Sequence, residues 1–205
     1  MKNLTKAMAL VVTAGMAYAG AAYGAGGDAQ KGQSIAANCA ACHGRDGNQT
    51  TAQTIPKLAQ QIEAYLVKQL HDFKSGARKN SIMSSMASTL SDQGVKDVAA
   101  YFSSQKMGSD KVSDKSLADE GKQIFTGGIA KDSVPACSSC HGTHAEGMPP
   151  TFPRLAGQHA QYVVAQLKTF KSGDRANDPN AVMRNIASKL SDHQMEAVAE
   201  YVTGL

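Results

Sequence analysis

Four cysteines occur in the 205 residues, and all four fall in one repeated pattern: Cys39-Ala40-Ala41-Cys42-His43 and Cys137-Ser138-Ser139-Cys140-His141. In a helical turn, thiols three positions apart project from nearly one face, and the histidine follows one position on. Two such thiols can bond to the vinyl-derived carbons along one edge of a porphyrin while the imidazole reaches its iron. That is the chemistry of c-type haem attachment. Other uses of the same residue types fit less well. Zinc sites built from two Cys-x-x-Cys pairs place the pairs about 15–20 residues apart, and these pairs stand 98 apart. A thioredoxin-like motif needs a βαβ setting, and no alternating strand pattern surrounds either motif. Structural disulfides leave the histidine after each pair unexplained. The pattern therefore predicts two haem c groups, held covalently by Cys39, Cys42, Cys137 and Cys140, with His43 and His141 as axial ligands to iron.

The sixth ligand follows from the repeat. Iron held by His and Met is an electron-transfer arrangement with a raised potential. Met83, Met86 and Met107 are candidates in the first copy. Met86 corresponds to Ile186, whereas Met83 corresponds to Met183, 42 residues after His141. Met148 lies only seven residues past His141, too near to reach the opposite face of a haem. Met83 and Met183 are thus the expected axial partners. The remaining histidines fail the same test: His71 corresponds to Lys168, His159 to Ile62 and His193 to Gln93, while His144 sits in a loop. They read as surface or packing residues. Two six-coordinate irons leave no position for a substrate, so the chain is not expected to be an enzyme.

The elements that must position these residues are themselves written twice. Pro56-Lys57-Leu58-Ala59 recurs as Pro153-Arg154-Leu155-Ala156; Tyr65, Gln69, Phe73 to Gly76 and Arg78 recur as Tyr162, Gln166, Phe170 to Gly173 and Arg175. Gly32-Gln33-Ser34-Ile35 resembles Gly121-Lys122-Gln123-Ile124, after which the second copy carries nine extra residues before its motif, between Ile124 and Val134. Apolar spacing predicts helices over Gln61 to Lys74 and Gln158 to Lys171, each stopped by a glycine. Ser91 and Ser191 are candidate N-caps of a last helix in each copy, and Gln194 completes a capping box only in the second. The class is all-α: two tandem domains at 25–103 and 117–205, joined by a Ser-, Lys- and Asp-rich linker at 104–116. Residues 1–24 read as a cleaved signal peptide, with Lys2 and Lys6 before an uncharged run and Ala22-Tyr23-Gly24 as cleavage site. The apolar part, Ala7 to Ala17, is short for a membrane span. The mature protein is therefore expected in the periplasm.

Composition excludes much. Lys and Arg number 21 against 17 Asp and Glu, giving a net charge of +4 too small and dispersed for a nucleic-acid binder. Aromatics make up 5% and tryptophan is absent, which leaves two small domains short of bulky core groups. A buried porphyrin would supply that bulk, so neither half is expected to fold stably without haem.

These residues resemble the class I cytochrome c pattern, duplicated, and the whole mature chain is similar to the dihaem cytochrome c4 family. The likeness rests on both motifs, on Pro56-Lys57-Leu58-Ala59, and on the paired segments at Met83 and Met183. It implies that each domain wraps one haem with His and Met as axial ligands. It also implies that Pro56 and Pro153 offer their carbonyls to His43 and His141, and that the haem edges of the two domains face each other. By the same likeness the chain carries electrons in a respiratory chain of the periplasm, towards a terminal oxidase, with loose membrane association in some members. Donor and acceptor are redox proteins: a membrane oxidase, another cytochrome or a copper protein. The alternative from the same likeness is the dihaem electron-accepting subunit of a flavocytochrome c type sulfide dehydrogenase. A permanent subunit calls for a large exposed apolar patch and a free shuttle for small ones.

Overall fold

A computed structural model describes residues 26–108 and 110–205; the expected signal peptide lies outside the described residues. In the first half α1 (Ala29–Ala36) leads to α2 (Ala40–His43), α3 (Glu63–Ser75), α4 (Ser81–Ser88) and α5 (Asp92–Ser104). The second half repeats the order as α6 (Lys115–Gly127), α7 (Ser138–His141), α8 (Ala160–Ser172), α9 (Val182–Ala187) and α10 (Asp192–Thr203), with 3-10 turns at Ala130–Asp132 and Pro179–Ala181. Only the isolated bridges Ile129–Val134 and Met148–Phe152 are extended pairings among the described residues, so the class is all-α. The extra residues of the second copy lengthen α6 to Gly127 and then form the turn that the first bridge closes, between Ile129 and Val134.

The first and last helices of each half cross at a glycine. A Cβ on Gly32 would lie 1.9 Å from the Asp97 carbonyl oxygen, and one on Gly121 would lie 1.9 Å from that of Ala197. Only a residue without a side chain lets α1 rest on α5 and α6 on α10 this closely. The α5 and α10 starts are capped as their sequences predict: Ser91 accepts from the Gly94 N–H, and Ser191 with Gln194 forms a reciprocal capping box. Helices α3 and α8 end at Gly76 and Gly173, both left-handed.

The two protein cores are unequal. The first half buries the cluster Ala36, Leu66, Val98, Ala99 and Phe102. The second adds Phe125 and Met195, both fully buried, to a larger apolar set. In both halves α3 or α8 and α4 or α9 also turn side chains towards one cavity.

Candidate haem sites and the face between them

The eight residues expected to hold two haems line a single cavity of about 1010 Å³ that runs through both halves. That volume stands at the upper end of the roughly 300–1,000 Å³ typical of a small-molecule pocket. Each Cys-x-x-Cys-His motif forms one short helix, α2 or α7, at its wall. His43 Nδ1 lies 2.8 Å from the Pro56 carbonyl oxygen, and His141 Nδ1 lies 2.9 Å from that of Pro153. A carbonyl only accepts, so Nδ1 carries the proton and Nε2 keeps its lone pair for a metal. Burial lowers both imidazole pKa values despite these bonds, which keeps the rings neutral. Burial likewise raises the Cys39 thiol and pushes Cys137 up to about 11. At these two positions burial disfavours the thiolate and with it thiol–disulfide exchange.

Met83 and Met183 line the cavity, half-buried on α4 and α9. Met86 and its counterpart Ile186 line it too, one turn further on. Met107 instead lies against Gly157, and Met148 is 40% exposed on a loop. The walls fit a haem in two further respects. They are built mainly of apolar side chains, among them Leu66, Phe73, Val163 and Phe170. They also present Arg78, Arg175 and Arg154, whose Nε is buried with no hydrogen-bond partner among the described residues; these cations match the carboxylates of the porphyrin.

The face between the halves is polar and nearly two-fold symmetric. The Arg78 guanidinium bonds to Gln69 of its own half and to the Tyr162 hydroxyl (3.0 Å) and Gln166 (2.8 Å) of the other. Arg175 repeats this towards Gln166, and across the face to Tyr65 (2.9 Å) and Gln69 (3.2 Å). Burial would raise the Tyr162 phenol, but the two guanidinium charges outweigh it and hold the phenol below its ordinary value. Each cation also stacks on a phenylalanine, Arg78 on Phe73 and Arg175 on Phe170. A second cluster is not symmetric. Lys57 Nζ is buried and bonds to the Gly108 and Gly157 carbonyls and, at 2.7 Å, to Asp110 of the connecting segment. Asp110 also accepts from His159 Nδ1 at 2.6 Å, and His159 Nε2 lies 2.8 Å from Thr50 Oγ1. His159, expected as a packing or surface residue, is buried in this interdomain cluster.

Sequence reasoning found the cavity residues but gave no role to Gln61, Tyr65, Gln69, Arg78 and their counterparts. The available signal was that polar residues recur in both copies on an otherwise apolar helix face. Met83 and Met183, selected because they recur, reach the cavity, as do Met86 and Ile186.

Comparison with known proteins places the chain among such cytochromes. Residues 29–106 and 118–205 each match the family profile described as Cytochrome c. The chain is 46% identical over 183 residues to a cytochrome c4 of Pseudomonas aeruginosa, covering 88% of this chain and 90% of that one. It is 42% identical over 165 residues to a thiosulfate dehydrogenase electron acceptor of Stutzerimonas stutzeri, covering 80% and 76%. Among solved structures, that of reduced recombinant cytochrome c4 from Pseudomonas stutzeri superposes with a TM-score of 0.84 at 45% identity, covering 87% of this chain and 99% of that one.

Proposed function

The chain belongs to the cytochrome c4 family of dihaem electron carriers, one haem c to each domain, and from that premise we propose that His43 with Met83 and His141 with Met183 are the axial ligand pairs. One observation carries the reading: each imidazole is locked through Nδ1 on a proline carbonyl at the wall of a cavity that also presents a repeat-matched methionine. When bound, haem c supplies a one-electron ferric/ferrous couple. The residues do the rest. Cys39, Cys42, Cys137 and Cys140 would fix the group covalently, the proline carbonyls orient the imidazoles, the apolar walls would exclude water, and the arginines lining the cavity would offer cations to its carboxylates.

On this reading the chain, divided as 25–103, 104–116 and 117–205, works in the periplasm and passes electrons between redox proteins towards a terminal oxidase. The small number of large apolar side chains exposed among the described residues, Ile82, Val112, Met148 and Val182, supports a shuttle over a permanently docked subunit. Ile82 and Val182 are repeat partners beside the two methionines, at the cavity rim, where a transient partner can approach either site. A second reading, the electron acceptor of a sulfur-compound dehydrogenase, is supported by the relative named for accepting electrons from thiosulfate dehydrogenase. Optical and near-infrared spectra of the ferric protein test the ligation. Two sulfur-to-iron charge-transfer bands are expected, of which Met83→His removes one and Met183→His the other. A high-spin or bis-histidine spectrum in the wild type would overturn it. Reduction rates with thiosulfate dehydrogenase compared with oxidation rates by a membrane oxidase separate the two partner readings.

A further inference from the structure

We infer that Gln61 and Gln158 are positioning residues that set, each from across the interdomain face, the electron donation of the other domain's axial histidine. The inference rests on the His ligation proposed above. The peptide joining Pro56 to Lys57 is bonded at both ends. Its carbonyl accepts from His43 Nδ1–H at 2.8 Å, and its N–H, that of Lys57, donates to Gln158 Oε1 of the second domain at 2.9 Å. The mirror arrangement is complete. The Pro153 carbonyl accepts from His141 at 2.9 Å, and the N–H of the same peptide, that of Arg154, donates to Gln61 Oε1 of the first domain at 2.9 Å.

Neither glutamine is free to turn away. Gln158 is 4% exposed and Gln61 5%. The Gln158 amide nitrogen donates to the Lys57 carbonyl at 3.0 Å, and its oxygen also accepts from the His159 N–H at 3.1 Å. Gln61 does the same with the Arg154 carbonyl at 3.0 Å and the Ile62 N–H at 2.9 Å. Each side chain therefore pairs with a foreign backbone segment by two bonds, as a neighbouring strand would.

The physical consequence has a sign. A peptide whose N–H is engaged is polarised, and its carbonyl becomes a stronger acceptor. A stronger acceptor draws the imidazole Nδ1–H bond and makes Nε2 a better donor to a metal. Better donation favours the ferric over the ferrous state, and hydrogen bonding around the ligands is one of the levers that sets such a potential. The electron affinity of each site thus depends on whether the two domains are docked.

The test uses the haem-loaded full chain, with Met83→His marking which redox wave belongs to the first domain. Gln158→Leu is expected to raise the first domain's potential, so that its reduced-to-oxidised ratio at a fixed applied potential rises about threefold, or about 28 mV at 59 mV per decade. The second domain's wave should stay put. Gln61→Leu is expected to give the mirror result. The proton resonance of His43 Nδ1–H should shift in Gln158→Leu while that of His141 does not. Gln158→Glu keeps an acceptor for the Lys57 N–H and gives it full charge, so it should move the first wave the opposite way; it also serves if the leucine variant fails to fold. Thr50→Val, which removes a different interdomain bond, should leave both waves in place. The inference is overturned if Gln158→Leu moves both waves equally, moves only its own domain's, or moves neither. If the wild type lacks the sulfur-to-iron bands, the methionine half of the ligation reading fails instead, and the inference, which needs only the two histidines, is still decided by which wave each glutamine variant moves.

Discussion

Asp110 is the one acidic side chain of the connecting segment that reaches into the domain–domain face, and its removal makes a graded prediction. In Asp110→Ala the Lys57 ammonium, buried with only 3% of its side chain exposed, loses its 2.7 Å partner. Breaking a buried ion pair from one side costs about 3–5 kcal/mol. Two features reduce that here. The Asp110 side chain is 29% exposed, and Lys57 keeps the Gly108 and Gly157 carbonyls. We expect about 2 kcal/mol, or a Tm about 4–8 °C lower for a chain of this size. The double variant Asp110→Leu with Lys57→Met removes both charges and should recover part of that loss, because no unpaired cation remains. Burial raises the Asp110 carboxyl, but the Lys57 hydrogen bond and charge, together with His159, outweigh it and hold the pKa below the ordinary carboxylate value. A depressed folded-state pKa stabilises above the unfolded value, near 4, and that contribution is lost as pH falls through the lower folded value. The gap in Tm between wild type and Asp110→Ala should thus be constant above about pH 5 and close below pH 4. Thermal melts of the haem-loaded protein across pH measure this. An Asp110→Ala Tm within a degree of wild type, or a double variant that loses the sum of the two single losses, would refute the reasoning.

Gly121→Ala should lower stability by about 3 kcal/mol or more, since its Cβ would sit 1.9 Å from the Ala197 carbonyl at the α6–α10 crossing; denaturant unfolding measures it, and a near-neutral variant would contradict that crossing. Phe125→Ala empties a fully buried site beside Tyr201 and should cost about 3–5 kcal/mol, read as earlier loss of the second domain's haem absorbance on heating. Ile82→Asp, at a position 68% exposed, should leave Tm unchanged and slow electron exchange of the first domain with its partner; stopped-flow rates equal to wild type would remove Ile82 from the docking surface.

What the sequence made legible was whatever is encoded locally. The thiol and imidazole spacing, the i, i+3, i+4 stripes of α3 and α8, and the serine caps of α5 and α10 are all set within a few residues. The repeat added one long-range expectation, Met83 and Met183 rather than Met86, Met107 or Met148 as the axial partners. Helix starts were misplaced by two residues for a physical reason. Gln61 and Gln158 belong to the apolar-spaced stretch, but their side chains bond across the domain face and to the N–H that opens the helix, so α3 begins at Glu63 and α8 at Ala160. The contacts of Arg78 with Tyr162 and of Arg175 with Tyr65 span 84 and 110 positions. No local pattern announces such pairs, because they exist only once two folded copies meet. Lys57 and Arg154 occupy equivalent positions, and only the course of the connecting segment decides that Lys57 finds a carboxylate.

The reciprocity of the face, residue for counterpart in both directions, is the geometry of a homodimer interface. Here it joins two stretches of one polypeptide. A free dimer of such small polar-faced subunits would come apart on dilution, whereas a short tether holds the partner at an effective concentration in the millimolar range. Pairing then no longer depends on how much protein a cell makes. Fusion also releases the halves from being identical. The tether carries Asp110 to one side only, where it pairs with Lys57 and not with Arg154, and the charges sort to +3 over 25–108 and −1 over 109–205. A symmetric dimer presents every visitor with the same two doors; this chain has been able to make them different.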